Sequence, residues 1–464
     1  MLTAAVADDL RGQLPPGRVI VEPDVMAAYR RDQAPWAEDG PPVCVVRPRT
    51  AEEVQLVVRA CLRHRVPVVP RGAGTGLSGG ANTVDGCVLL STEQLTAIRE
   101  IDAAERLAVV EPGVVNDVLR AACAEHGLWY PPDPASAPWS TIGGNVATNA
   151  GGLCCVKYGV TRDYVLGLQL VTGTGELVRI GRRTAKGVAG YDLTGLLTGS
   201  EGTLGVITEI TLRLRPARDP ERTVAGYFPS LAAAGHAVAA VTAAGLTPSA
   251  LELIDRNALA AVDEWKNMGL SAEADALLLG RTDLPGSAGE QEAKALLACF
   301  TEAGATWAAA SSDEEEAEAL FSARKLAYPA LERLGQVLSE DVCVPRGAVP
   351  DMLTRIEEIA RRHDVRIATV AHAGDGNLHP AFVVPAGDTD TRRRAEAAFE
   401  DVLDAALALG GTVTGEHGVG LLKRAGLTRE LPAPVLAMHT AVKQALDPHG
   451  ILNPGKVIAC APRS

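Results

Sequence analysis

Two short segments place three of the nine histidines among glycines and carboxylates. His372 and His379 flank the stretch Ala-Gly-Asp-Gly-Asn-Leu, whose turn formers predict a tight connection between two strands, so that both imidazoles can face one point. Glu416 and His417 follow a second short strand and are also surrounded by glycines. Each histidine alone is typical of a hydrogen-bonded structural residue. Together, two imidazoles and a carboxylate form the ligand set of a catalytic divalent metal, commonly zinc, with manganese or iron as alternatives.

A glycine-rich loop at residues 70–80 has the sequence Pro-Arg-Gly-Ala-Gly-Thr-Gly-Leu-Ser-Gly-Gly. Residues 74–79 fit the G-x-G-x-x-G pattern of NAD-binding Rossmann folds, but that pattern must open a helix. Here turn formers follow and lead into a strand at residues 87–90, so we predict a strand–loop–strand unit. Such a loop can bind a diphosphate through converging backbone N–H groups, with Thr75 and Ser78 as hydroxyl donors. A glycine-rich surface loop without a ligand is the alternative.

A second segment of glycines and small polar residues, which we expect to be a functional loop, covers residues 140–152 with the sequence Ser-Thr-Ile-Gly-Gly-Asn-Val-Ala-Thr-Asn-Ala-Gly-Gly. Two such segments in one chain indicate one large ligand that is held at both ends. Both segments, with residues 199–207 (Gly-Ser-Glu-Gly-Thr-Leu-Gly-Val-Ile), resemble the FAD-binding domain of the vanillyl-alcohol-oxidase superfamily. The resemblance runs through nearly the whole chain, to Asp-Pro-His-Gly-Ile-Leu-Asn-Pro-Gly-Lys at residues 447–456. Within the superfamily the chain is similar to the branch of D-lactate dehydrogenase, the glycolate oxidase flavoprotein subunit and D-2-hydroxyglutarate dehydrogenase.

The resemblance implies an FAD cofactor and the residues that surround it. Some superfamily members attach FAD to a histidine of the first glycine loop, but no histidine occurs between His64 and His126, so we expect noncovalent FAD. The residues implied to surround FAD are Pro70, Gly72, Gly74, Thr75, Gly76, Leu77, Ser78 and Gly79 at the diphosphate, Pro132, Asp133, Thr141, Gly144, Asn145, Thr148, Asn149 and Gly152 along the flavin and ribityl chain, Gly205, Val206 and Ile207 beside the adenine half, and also Glu201 and Asn453.

The resemblance also implies roles in catalysis. His372, His379 and Glu416 match the metal ligands of the branch, His417 matches its acid–base group, and Arg324 matches the arginine that binds the substrate carboxylate. A metal lowers the pKa of a bound hydroxyl, as it lowers that of water from about 16 to about 7, so His417 can accept the hydroxyl proton of a 2-hydroxy acid near neutral pH. An ordinary surface arginine on an alanine-rich helix is the alternative for Arg324.

The segment Ser-Glu-Asp-Val-Cys-Val-Pro at residues 339–345 bears on the substrate. It resembles the D-lactate dehydrogenase form of this region, whereas the D-2-hydroxyglutarate form carries a lysine where this chain has Ser339. We therefore expect oxidation of a small D-2-hydroxy acid, lactate-like or glycolate-like, to the 2-oxo acid by hydride transfer to flavin N5. The alternatives are a D-2-hydroxyglutarate dehydrogenase, a transferase like alkyl-dihydroxyacetone-phosphate synthase, and the flavin subunit of a multi-subunit glycolate oxidase. No motif identifies the electron acceptor.

Composition and charge limit the partners and the location of the chain. A net charge of -13 without clustered Lys and Arg argues against nucleic acid as a partner. No run reaches the ~20 apolar residues of a membrane helix, and the N-terminal residues lack the pattern of a signal peptide. Nine cysteines without a C-x-x-C pair favour reduced thiols and a cytoplasmic protein. Peripheral membrane association and a homodimer stay open.

The elements that must position these residues fall into three parts. At 464 residues the chain is long enough for two or three domains. Strands alternate with helices such as Ala51 to His64 in the first part, and Ala-rich helices alternate with strands after Pro216. We predict an α+β protein with a two-subdomain FAD-binding domain of the vanillyl-alcohol-oxidase type at residues 1–216. We also predict a substrate-binding cap domain at 217–425, with an antiparallel sheet covered by helices and with the metal site. A C-terminal segment at 426–464 is predicted to return to the FAD-binding domain.

Overall fold

The computed structural model describes residues 2–458. Strands and helices alternate along the described chain. The strands are β1 (Val19–Ile20), β2 (Cys44–Val46), β3 (Val68–Arg71), β4 (Val88–Ser91), β5 (Ile98–Asp102), β6 (Leu107–Val110), β7 (Leu128–Trp129), β8 (Val165–Val171), β9 (Leu177–Gly181), β10 (Val206–Arg213), β11 (Arg215–Pro216), β12 (Arg222–Phe228), β13 (Ala250–Asp255), β14 (Ala276–Thr282), β15 (Trp307–Ala310), β16 (Gln336–Ser339), β17 (Val342–Cys343), β18 (Ile367–His372) and β19 (Asn377–Val384). The α-helices are α1 (Leu2–Gln13), α2 (Pro23–Tyr29), α3 (Ala51–His64), α4 (Asn116–Ala124), α5 (Ile142–Thr148), α6 (Cys155–Tyr158), α7 (Leu193–Leu197), α8 (Leu231–Ala243), α9 (Arg256–Lys266), α10 (Leu270–Glu273), α11 (Gly286–Glu302), α12 (Glu314–Glu332), α13 (Val349–His363), α14 (Thr389–Ala408), α15 (Arg424–Glu430) and α16 (Ala433–Leu446).

The described residues divide into two compact units, and each is described by itself. The first unit comprises the residues up to 151, residues 160–217 and the residues from 416 onward. The second unit comprises residues 152–159 and 218–415. The boundaries predicted from sequence lie at residues 217 and 426, and the roles assigned to the three predicted segments stay predictions.

The first unit contains two main sheets. One has the strand order β1-β2-β4-β3, in which β2, β4 and β3 are parallel and β1 is antiparallel. The other, β5-β6-β10-β8-β9, is antiparallel throughout, and β7 pairs separately with β11. Helix α3 packs Val54 and Val57 into the core of the first sheet, and it begins after Thr50, whose side chain accepts the backbone N–H of Glu53. The helix predicted from Ala51 to His64 is confirmed.

The second glycine segment contains a helix, α5, where we predicted a loop. Thr141 caps this helix, because its side-chain oxygen accepts the backbone N–H of Gly144. Each glycine in a helix interior lowers helix stability by about 1 kcal/mol relative to alanine. Because this segment contains two glycines, its sequence did not predict a helix. Gly143 is required for packing, since a Cβ there would overlap Pro112.

The second unit is built on one antiparallel sheet with the order β15-β12-β14-β13-β18-β19-β16, and β17 also pairs with β19. Because side chains alternate between faces, Glu252 and Ile254 of β13 point to the same side as Leu279 of β14. Helices α9 and α12 cover this face, where Ile254 and Leu279 share a core with Phe321 of α12. Phe300 of α11 packs on the opposite face, above β12 and β14. The predicted antiparallel sheet covered by helices is confirmed.

Two further findings concern membranes and cysteines. Among the described helices, none has both the length and the apolar composition that crossing a bilayer requires. Cys44, Cys61, Cys87 and Cys123 are buried in the first unit, and burial raises the pKa of each thiol. These four cysteines act as packing residues.

Candidate active site

The first glycine loop joins two neighbouring strands. β3 and β4 are parallel and pair from Val68 with Val88 to Arg71 with Ser91, and no helix lies between them in the described chain. The predicted strand–loop–strand arrangement is confirmed, and the Rossmann alternative is excluded. Within residues 70–80, two glycines have positive φ angles, 74° at position 74 and 78° at position 79. This backbone form lets successive N–H groups converge on an anion.

The first glycine loop lies against the start of helix α5. A Cβ at Gly72 would lie 2.5 Å from Oγ1 of Thr141 and 3.7 Å from Cα of Gly144. Only a residue without a side chain permits this approach. The structure therefore brings the residues implied for the diphosphate next to residues implied for the flavin.

Asn116 is a polar residue of this region that the sequence analysis missed. It is fully buried at the start of α4, and its Nδ2 donates to the carbonyl oxygen of Pro132 at 3.2 Å and to Oδ1 of Asn145 at 3.0 Å. Two predicted cofactor residues are thus fixed by one amide. A lone asparagine directly after a pair of valines, Val114 and Val115, was the signal that could have found it.

The other residues predicted to surround FAD are distributed over neighbouring elements. Their contact with FAD stays a prediction. They lie in β3 (Pro70), in the loop after it (Thr75, Gly76, Leu77), directly after Pro132 (Asp133), at the end of α5 (Thr148, Asn149), just before and at the start of β10 (Gly205, Val206, Ile207), and in the segment 152–159 of the second unit (Gly152).

A buried cation, Arg71, lies directly behind the glycine loop. A Cβ at Gly74 would overlap the Arg71 guanidinium, whose Nη1 donates to the carbonyl oxygen of Arg31 at 2.8 Å. Burial lowers the pKa of Arg71, and the neighbouring Asp32 acts in the opposite direction. A guanidinium at this position complements the charge of a diphosphate. We did not select Arg71 from the sequence, although it is the one cation within residues 70–80.

Glu201 and Asn453 connect the loops of the first unit. The buried carboxylate of Glu201 accepts the backbone N–H groups of Val419 at 2.8 Å and Gly420 at 2.9 Å. Burial raises the pKa of Glu201 to about 7, although these two hydrogen bonds act against it. Asn453 donates through Nδ2 to the carbonyl oxygens of Gly80 and Glu201 at 2.8 and 2.7 Å. Both residues therefore fix the backbone around the predicted FAD site.

Glu416 and His417 lie beside the two glycine segments of the first unit. A Cβ at Gly151 would overlap Oε2 of Glu416. Oγ of Ser78 lies 2.9 Å from the carbonyl oxygen of Gly418 and 3.2 Å from that of His417. Ser78 was expected to offer its hydroxyl to an anion, but its single hydroxyl hydrogen is directed at this backbone instead. A predicted metal ligand and the predicted base are thus close to the predicted FAD residues.

The two histidines of the second unit share one face of the sheet. His372 ends β18 and pairs with Asn377, and His379 pairs with Val370, so both side chains point to the side covered by α12. Their ring centroids are 5.0 Å apart. Nδ1 of His372 lies 2.8 Å from Oε1 of Glu252, and Nδ1 of His379 lies 3.3 Å from the carbonyl oxygen of Glu340. Acceptors at both Nδ1 atoms select Nε2 as the ligating nitrogen, as metal-binding histidines require. The two rings fit a metal.

Glu252 connects His372 with Arg324 in the second unit. Oε2 of this fully buried carboxylate accepts Nε of Arg324 at 2.7 Å. Burial raises the pKa of Glu252, but the charges and hydrogen bonds of His372 and Arg324 outweigh burial and lower it. Arg324 is only 10% exposed, and among the described residues its Nη groups have no hydrogen-bond partner. The alternative of an ordinary surface arginine is therefore wrong, and the role of Arg324 in substrate binding stays a prediction. Glu252 was not predicted as a site residue, although it is the lone carboxylate in the interior of an apolar strand.

Asp341 holds the chain just before Glu416. In the second unit its Oδ2 accepts the backbone N–H of Gly415 at 2.9 Å and the Oγ1 hydroxyl of Thr414 at 2.7 Å. Asp341 is fully buried. These two hydrogen bonds fix the last residues of the second unit. Asp341 is a second acidic residue that the sequence analysis did not select.

Two family models match the chain. The model described as FAD linked oxidases, C-terminal domain, matches residues 219–457, and the model described as FAD binding domain matches residues 42–181. Among solved structures, 4-ethylphenol oxidase from Gulosibacter chungangensis aligns with a TM-score of 0.80 at 18% identity over 98% of this chain and 97% of its own. Alkyldihydroxyacetonephosphate synthase aligns with a TM-score of 0.73 at 17% identity over 97% of this chain and 84% of its own. These two structures share the fold.

Relatives align along almost the whole chain. Glycolate oxidase subunit GlcD of Bacillus subtilis is 41% identical over 93% of this chain and 92% of its own length. D-lactate dehydrogenase of Archaeoglobus fulgidus is 36% identical over 93% and 95%, and D-2-hydroxyglutarate dehydrogenase of Stutzerimonas stutzeri is 33% identical over 99% and 100%. The predicted branch of the superfamily is confirmed. The chain belongs to the FAD-linked oxidases, as an FAD-dependent oxidoreductase of the vanillyl-alcohol-oxidase type.

Proposed function

We propose that this protein oxidises a small D-2-hydroxy acid, lactate-like or glycolate-like, to the 2-oxo acid. The observation that carries the proposal is the guanidinium of Arg324, which is buried beside His372 and has no protein partner for its Nη groups among the described residues. A buried cation with unused donors fits a carboxylate. The relatives, whose names indicate glycolate, D-lactate and D-2-hydroxyglutarate as substrates, support the same chemical class.

FAD, bound noncovalently, would accept the hydride. A divalent metal, with zinc favoured over manganese or iron, would lower the pKa of the substrate hydroxyl. His372, His379 and Glu416 are the proposed metal ligands. His417 accepts the hydroxyl proton, and the Nη groups of Arg324 bind the carboxylate. The Nδ1 contacts of the two histidines support the metal assignment, because each leaves Nε2 as the ligand atom.

Ser339 supports a substrate with one carboxylate. Ser339 pairs with Ala381 of β19, and alternation along the strand places it on the same face as His379. Its side chain is neutral, so it brings no cation for the distal carboxylate of a dicarboxylic acid. D-2-hydroxyglutarate remains the alternative substrate.

Anaerobic titration of the FAD-loaded protein tests the proposal. D-lactate or glycolate is expected to bleach the flavin absorbance, and L-lactate is the stereochemical control for the D-lactate arm. Bleaching by D-2-hydroxyglutarate alone would select the alternative substrate. No bleaching by any 2-hydroxy acid would remove the substrate class and leave the transferase, whose solved relative supports the fold only.

Reoxidation identifies the acceptor and any partner. After bleaching, oxygen, a quinone, a cytochrome and an electron-transfer flavoprotein are added in turn to the reduced protein. Glycolate oxidase subunit GlcD is named as a subunit, so we include a multi-subunit assembly in the proposal. Reoxidation by oxygen or a quinone, with no other protein present, would argue against a required partner. We also propose a cytoplasmic location. The buried free thiols support it, because reduced thiols are typical of cytoplasmic proteins.

A further inference from the structure

Glu252 is a carboxylate in the middle of an apolar strand. Its neighbours along β13, Leu251 and Leu253, are buried core residues, and Glu252 itself has no exposed surface. Burying an ionised carboxylate away from water is strongly unfavourable unless partners compensate it. The identity of those partners therefore indicates why the charge is there.

Both carboxylate oxygens of Glu252 have a donor. Nδ1 of His372 lies 2.8 Å from Oε1 and 3.0 Å from Oε2, and strand pairing places His372 directly opposite Glu252. Oε2 lies 2.7 Å from Nε of Arg324, which comes from α12 and is 72 positions away in the sequence. Two residues with different proposed tasks, one toward the metal and one toward the substrate carboxylate, thus meet at one side chain.

We propose that Glu252 is a positioning residue that orients His372 and Arg324 together, an inference that rests on the proposed function. With its Nδ1–H bonded to Glu252, His372 offers Nε2 to the metal. With its Nε bonded to Glu252, Arg324 presents Nη1 and Nη2, the pair that can bind both oxygens of one carboxylate. A 2-hydroxy acid carries its hydroxyl on the carbon next to the carboxylate. The metal ligand and the guanidinium that bind these two groups must therefore keep a fixed separation. Their shared hydrogen bonds to Glu252 keep that separation.

Glutamine at position 252 breaks this arrangement without changing its size. An amide has one acceptor oxygen and one NH₂ donor, whereas His372 and Arg324 both present donors. An NH₂ group at the Oε2 position removes the acceptor of Arg324 Nε. An NH₂ group at the Oε1 position faces Nδ1–H of His372 at its shorter contact and favours a proton on Nε2, which then cannot ligate a metal. The variant therefore weakens substrate binding, metal binding, or both.

The test compares Glu252→Gln with Glu292→Gln in the FAD-loaded full chain. Glu292 is also buried in the second unit, and it accepts hydrogen bonds from Thr282 and Thr247, which belong to no proposed site. Zinc affinity is measured by competition with a chromogenic chelator, and KM and kcat for D-lactate at saturating zinc. In E252Q we expect zinc affinity to fall by about 10- to 100-fold. KM should rise by about 10-fold. E292Q should keep the wild-type values of both.

If the zinc affinity and the KM of E252Q both stay within about twofold of the wild-type values, the proposal is overturned. Should E252Q fail to fold, Glu252→Asp, which retains the charge but is one methylene shorter, is measured in the same way, and wild-type values of both quantities again overturn it. Absence of zinc binding and of flavin bleaching in the wild-type protein overturns the proposed function itself. That result is obtained before any variant is compared, so the two failures are distinct.

Discussion

Replacement of Arg324 by methionine separates the contribution of this cation to stability from its contribution to substrate binding. Methionine fills similar space on helix α12 without charge. Removing one partner of a buried ion pair costs about 3–5 kcal/mol. Because His372 still donates to Glu252, we expect the lower end, about 3 kcal/mol in the free energy of unfolding. Two charge-assisted hydrogen bonds to the substrate carboxylate contribute about 1.5–3 kcal/mol each, so kcat/KM should fall by at least about 100-fold.

Stopped-flow reduction of the flavin under anaerobic conditions and urea unfolding measure these two effects. Arg281→Met is the matched control, because Arg281 is also buried, pairs with Glu221 and Glu318, and packs on Phe321. It should lose stability but retain the wild-type KM for D-lactate. The reasoning is refuted if folded R324M has a KM within about twofold of the wild type. It is equally refuted if R281M shows the same loss of substrate affinity as R324M.

Three further predictions concern metal, pH and cofactor. His372→Ala should lose bound zinc because a proposed ligand is removed, whereas His363→Ala, at the end of α13, should retain it when zinc per chain is measured. Burial raises the pKa of Asp255 from 3.8 to about 7, so the folded protein holds a proton that the unfolded chain loses, and stability falls as pH rises through this window. Between about pH 5 and about pH 8, the unfolding free energy of Asp255→Asn should therefore decrease by about 3 kcal/mol less than that of the wild type. Equal decreases in the wild type and the variant would contradict this prediction. Gly74→Ala should lower the flavin absorbance per protein because Gly74 has a φ of 74° and a Cβ there would overlap Arg71, whereas Gly12→Ala, with open space around it, should not.

The sequence predicted those parts of the fold whose signals are local. Helix α3 has a cap, an apolar stripe and a left-handed end at Arg65, and its bounds agree with the prediction. The hairpin from β18 to β19 was predicted from the turn formers between His372 and His379. Helix α5 was missed because its glycines are selected by contact with Pro112 and Thr141, which only the folded chain reveals.

The candidate site was predictable where its residues occupy glycine-bracketed turns. His372, His379 and Glu416 were selected in this way, and their role as metal ligands stays a prediction. Glu252 and Asp341 were not found, because they lie in buried parts of the second unit where only partners distant in sequence explain a carboxylate. Loop residues can be predicted from the turn-forming residues beside them, whereas the residues that orient them are recognised only from tertiary contacts.

Stability alone gives no reason for a charged group at position 252. A buried ion pair or triad is often no more stable than well-packed apolar side chains of similar volume, so His372, Glu252 and Arg324 do not serve the fold better than an apolar trio. The Arg281 cluster differs, because the side chain of its partner Glu318 is 50% exposed and stays solvated at a lower cost. The fully buried carboxylate of Glu252 is therefore best explained by the two side chains that it orients, the proposed metal ligand His372 and the proposed substrate-binding Arg324.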